Sequence, residues 1–501
     1  MLVARPAQAR VGLLHPSRLV GVAAALALAL ATLGLVGYLI VFVRHAQAII
    51  PYPFDIDQGE GYDVWAAWLL SQGQPIYTAN ESYPYFSTNY PPLYFALLAP
   101  LLNWLGLSLS LGRLLACAAT LLTGVTIWGA AWSHTRSLLA GLLAGLLFLG
   151  STYVYHVGTL ARVNTLMVLL AVAGVACAAR PTRLRLPLAL ALLLLAAFTK
   201  QTALDALLAV LAYLALRDWR QSAAAGLAAG MVGIAGVAWL QWTSGQAFLL
   251  NVVAGNANPW SAWQALEYTE NFLTIHGVVA LLALTALGRS IWRRRVSVFD
   301  LYLALAALTS LSAGKWGAGE SYFLETLAAL CLVAARALAW LTLHPNAWLR
   351  LAAGLMLGVQ LLLYVHGPSP QRLTGLRDRG FQAAALAGQP SEADLNAATD
   401  LVRRYVLKWD SDVLAEDAGF VIVAGKPVVG NATHLRNLYE AGAWNPAGLV
   451  RDLEEKRYGF VVLNAQLYPP PVLAAIGKHY YLYATVAING YNYRVFAPGA
   501  D

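Results

Sequence analysis

Long apolar runs alternate with short polar joints through residues 1–366, and the last 135 residues abandon that pattern. A helix needs about 20 apolar residues to cross the hydrocarbon core of a bilayer. Runs that approach this length lie at 19–43, 113–132, 137–156, 164–179, 186–199, 201–216, 223–243, 271–288, 299–313, 321–343 and 348–366. They predict eleven transmembrane helices, several near the lower limit of length. The first run follows Arg5, Arg10 and Arg18 and ends at Arg44-His45. A signal-peptide core is shorter, ~7–15 residues. The run therefore reads as a first spanning helix with a cytoplasmic N-terminus.

The joints alternate in charge. One set holds His134 and Arg136, then Arg180, Arg183 and Arg185, then Arg217 and Arg220, then Arg289 and Arg293 to Arg295, and Arg350. The other set has Lys200 and Lys315 as its only lysines, with Arg44, Arg113 and Arg162. This is the positive-inside pattern. It holds only if the apolar stretch 92–105 does not span, so that stretch is read as a re-entrant or interfacial helix entered through Pro91-Pro92. The C-terminus then lies outside.

Residues 367–501 predict a small α/β domain. SEADLNAATDLVRRYVL has helical periodicity, and AGLVRDLEEKR fits a second helix. FVIVAGKPVVG and YGFVVLN read as buried parallel strands, and the terminal aromatic-rich segment as a hairpin turned at Asn489-Gly490. Gly425-Lys426-Pro427 is a turn, since the flanking glycines of a phosphate loop are missing.

Composition agrees with a membrane protein. Hydrophobic residues make up 59% and charged residues 12% of the 501, about half the charged share of a soluble domain. Soluble globular, disordered and disulfide-scaffold classes are excluded. The net charge of +8 falls wholly in residues 1–366, where it orients a membrane protein and does not imply a nucleic-acid partner. Cys117, Cys177 and Cys331 are widely spaced in apolar runs and read as small buried hydrophobes.

Acids are scarce in this apolar part, and four of them fall just after the first helix: Asp55, Asp57, Glu60 and Asp63. Carboxylates beside a membrane are placed for general-base work, although a solvated outer loop also accounts for acids there. Arg162, Lys200 and Lys315 are isolated cations on the same side, and ionisable groups at membrane depth are functional candidates. Lys200 reads either as a phosphate ligand or as a snorkelling lysine at a tight turn. Glu325 lies inside an apolar run and needs a partner such as Lys200 or Lys315. Trp65, Trp68, Tyr77, Tyr83, Tyr85, Tyr90 and Tyr94 form either a sugar-stacking wall or headgroup anchors.

PFDIDQGEGYDVWAAWLLSQGQPIY followed by TNYPPLYFALLAPL resembles the first outer loop of the GT-C type membrane glycosyltransferases, which include protein O-mannosyltransferases and the lipid A aminoarabinose transferases. In that superfamily an acidic motif follows the first helix and a Pro-Pro-Leu element closes the loop. Here Gly59-Glu60-Gly61 stands in the place of the acidic pair, with Asp57 three residues earlier. TLARVN is similar to an Arg-x-Asp segment of relatives, with Arg162 matching and Asn164 in place of the acid. TKQTA and ESYFLE resemble segments of a bacterial group of the same kind.

The resemblance implies an all-α polytopic membrane domain, residues 1–366 with a first outer loop at 44–112, joined to an extracytoplasmic α/β domain at 367–501. It implies an inverting glycosyltransferase that uses a polyprenyl-phosphate sugar and a glycan, lipid or protein acceptor. Asp57 or Glu60 would be the base, with Asp55 third. Arg162, Lys200 and Lys315 would hold the phosphate, supported by Glu325, Tyr322, Gln201, Asn89 and Tyr90. Asp55 and Asp57 are the pair that would hold a divalent cation, if one is used. A polytopic transporter or flippase is the alternative, although no internal repeat is found.

Overall fold

The computed structural model describes residues 16–366 and 390–499. Arg5, Arg10 and the segment 367–389 that begins the expected second domain lie outside the described residues. Among the described residues, five helices are long and apolar enough to cross a membrane: Arg18–Ile49, Leu109–Thr135, Trp219–Thr243, Glu320–Thr342 and Ala347–Val365. Shorter apolar helices complete the bundle, among them Leu138–Leu149, Asn164–Ala178, Arg185–Thr199, Gln201–Ala215 and Val298–Gly314.

Two expected spans are broken. In place of one helix at 271–288, Ala262–Ile275 and Gly277–Trp292 meet at 92°. Backbone groups freed at such a break need partners inside the protein. Gln360, fully buried, supplies them: its Oε1 accepts from Val278 N and Val279 N, and its Nε2 donates to Ile275 O. The expected span 137–156 stops at Leu149 and restarts as the short helix Thr152–Val157, capped by Ser151 Oγ on Tyr153 N. The two breaks face each other. His276 Nδ1 donates to Phe272 O, so its Nε2 is left to accept from Ser151 Oγ at 2.8 Å.

The basic joints collect at one end of the bundle, where Arg180 donates to Ser133 O and Arg336 pairs with the buried Asp300 while bonding Ser290 Oγ. The opposite end carries the loop after the first helix. There Gly59–Ser71 is helical, and Leu93–Leu105 packs on it while exposing Leu97, Leu101 and Trp104. Exposed tryptophans mark both ends of the bundle, including Trp104, Trp242 and Trp263 at this one and Trp132, Trp219 and Trp292 at the other. Tryptophan is the residue enriched at the two membrane–water interfaces.

Residues 390–499 build one four-stranded sheet in the order β1-β2-β4-β3, where β1 is Val413–Ala415, β2 Phe460–Leu463, β3 Tyr480–Ile488 and β4 Tyr491–Pro498. β1 and β2 are parallel, and β3 and β4 form the expected hairpin. Asn489 and Gly490 both have positive φ, 51° and 77°, as a two-residue type I′ turn requires. One expected strand is a helix instead: Phe420 to Val423 belong to Gly419–Val423, and the strand before it is 413–415. A short β-branched apolar run does not by itself separate a strand from a buried helix. Here Asp55 accepts from Gly419 N, and Phe420 packs on Phe54 and Tyr493. These residues share a core with the first loop, in which Tyr52, Phe54 and Tyr62 join Ala415, Phe420 and Val462.

Candidate active site

Glu60, one of the two acids expected to serve as the base, sits instead in a buried ion pair. Its carboxylate is fully buried against the fully buried guanidinium of Arg113, at 2.7 and 2.8 Å. It also accepts from Ala161 N and Ile56 N. Arg113 in turn donates to the carbonyls of Ile49, Tyr52 and Phe54. Burial by itself would raise the Glu60 pKa, but Arg113 and these backbone donors hold it below the usual range. The pair is a bolt that ties the end of the first helix and its loop to the neighbouring helices. Removing one partner of a buried ion pair costs about 3–5 kcal/mol. Glu60→Gln should therefore lower thermal stability strongly, as measured by unfolding of the purified protein.

Asp55 also has a structural post. Its Oδ1 accepts from Gly61 N at 2.6 Å and its Oδ2 from Gly419 N at 2.5 Å, joining the first loop to the C-terminal part. With those oxygens committed, and Asp57 paired elsewhere, the Asp55-x-Asp57 segment does not fit a divalent cation. Among the described residues no group of three His, Cys, Asp or Glu side chains is arranged for a metal.

Burial, with the charges of Asp417 and Glu60, pushes the Asp55 pKa well up, and burial pushes Asp417 up to about 7 despite a hydrogen bond from Tyr493. Carboxyls that titrate higher when folded stabilise the fold at low pH, and that contribution is lost as pH rises through the folded value. Stability should fall as pH rises towards and through 7. Asp417→Asn should flatten that slope in a melting-temperature series from pH 5 to 8.

Asp57 is different. Its side chain is 43% exposed, its Oδ1 accepts from Arg162 Nη1, and Gly59 N donates to the same oxygen at 3.1 Å. Arg162 precedes the helix Asn164–Ala178 and reaches back across the start of Gly59–Ser71. Only glycine permits this at residue 59, because a Cβ there would lie 1.5 Å from Arg162 Nη1. Arg162 Nε is 3.0 Å from Asp63 Oδ2, and its Nη2 donates to Tyr90 Oη at 3.3 Å. Asp63 is buried, which together with the charge of Asp57 pushes its pKa up to about 7 against the pull of Arg162. One guanidinium thus bridges an exposed and a buried carboxyl.

Lys200 joins this cluster. It ends the helix Arg185–Thr199, is 2% exposed, and donates from Nζ to Asn164 Oδ1 at 2.7 Å. The Nζ lies 4.2 Å from the ring centroid of Tyr322 and 5.8 Å from that of Tyr90. The charges of Arg162, Asp63, Glu325 and Lys315 all act on it. Lys315 donates to Asn256 O at 3.3 Å, and Asn256 and Asn89 exchange amide hydrogen bonds, which fixes the segment before Pro91-Pro92. Gln201 Nε2 donates to Val252 O on the same side. Glu325 is buried in the first turn of Leu324–Thr342, where the charges of Asp205 and Lys200 act on it.

The seven aromatic candidates do not form one wall. Tyr77 donates to Tyr90 O, Tyr83 to Asp412, Tyr85 to Asp452, and Tyr94 is fully buried. Only Tyr90 stands at the charged cluster, opposite Tyr322, which the sequence brings from 232 residues away. Asp63, Asn164 and Asn256 were not among the expected site residues. Their roles depend on pairings with Arg162, Lys200 and Lys315, which sequence spacing does not show.

This architecture has counterparts among solved structures. ArnT from Cupriavidus metallidurans bound to undecaprenyl phosphate aligns with a TM-score of 0.60 at 14% identity, covering 92% of this chain and 98% of that one. Its apo state aligns with the same score and coverage at 12% identity. The chain has the GT-C fold. The resemblance read from the loop motifs therefore holds at the level of the fold. The apo oligosaccharyltransferase of Archaeoglobus fulgidus aligns at a TM-score of 0.50 and 13% identity, over 92% of this chain and 74% of that one. No protein-family model matches the chain, and no curated protein matches it in sequence.

Proposed function

We propose that the protein transfers a sugar from a polyprenyl-phosphate donor to a glycan, lipid or protein acceptor at the extracytoplasmic face of a cell membrane, with inversion at the anomeric carbon. The observation that carries this reading is the cluster at one end of the bundle, an accessible carboxylate and two cations at helix ends, in a fold shared with a protein that was solved with undecaprenyl phosphate bound. Asp57 takes the acceptor proton. The acceptor oxygen attacks the anomeric carbon as the bond to the phosphate oxygen breaks. Arg162, Lys200 and Lys315 stabilise the departing phosphate. A phosphate that engages Arg162 competes with Asp57 for the guanidinium and so frees the carboxylate to accept a proton.

Residues 1–366 serve as the catalytic membrane domain in this reading, and 367–501 as an extracytoplasmic domain, whose described residues 390–499 pack over the first loop. The basic end of the bundle faces the cytoplasm. With the native cysteines replaced, cysteines at the exposed Ser82 and Ser391 should label from outside the cell, and one at Ser133 only after permeabilisation. Labelling of Ser133 from outside would reverse the orientation. A transporter would place its charged groups midway along helices, whereas Arg162, Lys200 and Glu325 lie at helix ends. The donor class is tested by native mass spectrometry with undecaprenyl phosphate and undecaprenol. Retention of the phosphate alone supports the reading, and equal retention of both contradicts it.

A further inference from the structure

One helix of the C-terminal part, Ala432–Glu440, reaches the neighbours of both Asp57 and Lys315. Towards the first loop, Thr433 Oγ1 donates to Gln58 Oε1 at 3.0 Å. The other end of the same amide, Gln58 Nε2, donates to Glu416 O at 3.2 Å. Gln58 directly follows Asp57, so the turn that carries Asp57 is gripped from the C-terminal part through both polar atoms of one side chain. Glu416 is itself anchored. Its buried carboxylate accepts from the backbone N–H groups of Asn464, Ala465, Gln466 and Leu467, and its carbonyl also accepts from Tyr62 Oη at 2.7 Å. Towards the cations, Arg436 Cζ lies 4.4 Å from the ring centroid of Trp316, the residue after Lys315. His434 Nε2 lies 2.7 Å from Asn251 Oδ1, and Asn437 Nδ2 donates to Gly255 O at 3.1 Å. The segment they hold continues into Asn256, whose carbonyl accepts from Lys315.

We propose that Thr433 and Gln58 are positioning residues for the base: they fix the turn that carries Asp57, and so aim its carboxylate, from a helix that also holds the neighbours of Lys315. Their role rests on the proposed function of Asp57 as the base. The Asp57 carboxylate accepts from Arg162 and from Gly59 N. A phosphate that draws Arg162 away leaves Gly59 N as its partner, and its direction is then set by the backbone beneath it. Asp57 N donates to Glu60 Oε2 at 3.3 Å and Asp57 O accepts from Glu60 N at 3.0 Å, which ties the turn to the bundle. The Gln58 side chain ties its other side to the C-terminal part. A base and a phosphate-binding arm that share one short helix as their reference keep a fixed separation, although they come from loops more than 250 residues apart. Such registration matters because a misplacement of 1 Å can cost about 10²-fold in rate.

The test is turnover of the full chain in liposomes, with radiolabelled polyprenyl-phosphate sugars and membrane acceptor extract, read beside undecaprenyl phosphate binding. Thr433→Val keeps the shape and removes the hydroxyl, and Gln58→Met removes the same contact from the other side. Each should lower kcat about tenfold, inside the ~10²-fold that a 1 Å misplacement costs, with undecaprenyl phosphate binding unchanged. Thr433→Ser keeps the hydroxyl and should turn over like the unmodified protein. Should either Thr433→Val or Gln58→Met fail to fold, the other carries the test. The deciding measurement places the same change in an Asp57→Asn background. A residue that acts through Asp57 adds no further loss there, whereas one that merely packs adds its full loss. Unchanged kcat in the single variants, or a loss that adds in full to that of Asp57→Asn, overturns the positioning role and leaves Asp57 as the base. Full turnover of Asp57→Asn itself overturns the base, and the positioning role with it.

Discussion

Asp57→Asn is expected to lower turnover by at least ~10²-fold, the lower range for loss of general-base catalysis. Asparagine is nearly the same size and its oxygen still accepts from Arg162 and Gly59 N, so the loop should keep its shape. What it loses is basicity. The effect should therefore appear in kcat, with donor affinity close to unchanged. Glu60 and Asp55 offer no substitute, since both are buried and hydrogen-bonded to partners that hold the loop in place. Near-normal turnover of Asp57→Asn, in an assay limited by chemistry, would move the base to Asp63. That residue is the second carboxyl on Arg162, and burial pushes its pKa up to about 7, a value suited to proton transfer near neutrality.

Lys200→Ala is expected to weaken binding of the lipid-phosphate donor by about 10- to 150-fold, from roughly 1.5–3 kcal/mol for a charge-assisted contact. A lipid donor keeps its tail in the bilayer and presents its phosphate at the boundary. Lys200 stands at a helix end on that side, between the rings of Tyr322 and Tyr90. Affinity for the acceptor should hardly change. Lys200→Arg should retain part of the binding, because the charge stays while its shape differs. A lysine with only a packing role makes a separate prediction: Lys200→Gln would cost stability and leave donor affinity intact. Donor binding and thermal stability measured on the same variants distinguish the two.

The bundle was legible because span length is a property of one continuous run. Its breaks were not. Hydropathy averages across residues 271–288 and 137–156, while the groups that permit the breaks, Gln360 and the Ser151–His276 contact, come from distant parts of the chain. The same limit applies to the site. The cluster of acids after the first helix pointed to Asp57, and isolated cations between apolar runs pointed to Arg162 and Lys200. Which acids remained available depended on partners that proximity in sequence does not reveal. Glu60 looked equivalent to Asp57 until Arg113, 53 residues later, proved to neutralise it in the core. Asp63 lay in the acidic cluster, but its link to Arg162 is a tertiary contact. The helix at Gly419–Val423 was missed for a related reason, since its first amide is held by Asp55 from the other end of the chain.

The central claim is that this chain moves a sugar from a lipid phosphate to an acceptor, with Asp57 as the base. The direct test is incubation of the purified protein, reconstituted in liposomes with membrane acceptor extract, with radiolabelled polyprenyl-phosphate sugars. The expected result is label transferred to an acceptor with the opposite anomeric configuration, an equal amount of free polyprenyl phosphate, and loss of both in Asp57→Asn. Label that crosses the bilayer still attached to its lipid, with no polyprenyl phosphate released, would contradict the account and identify a flippase instead.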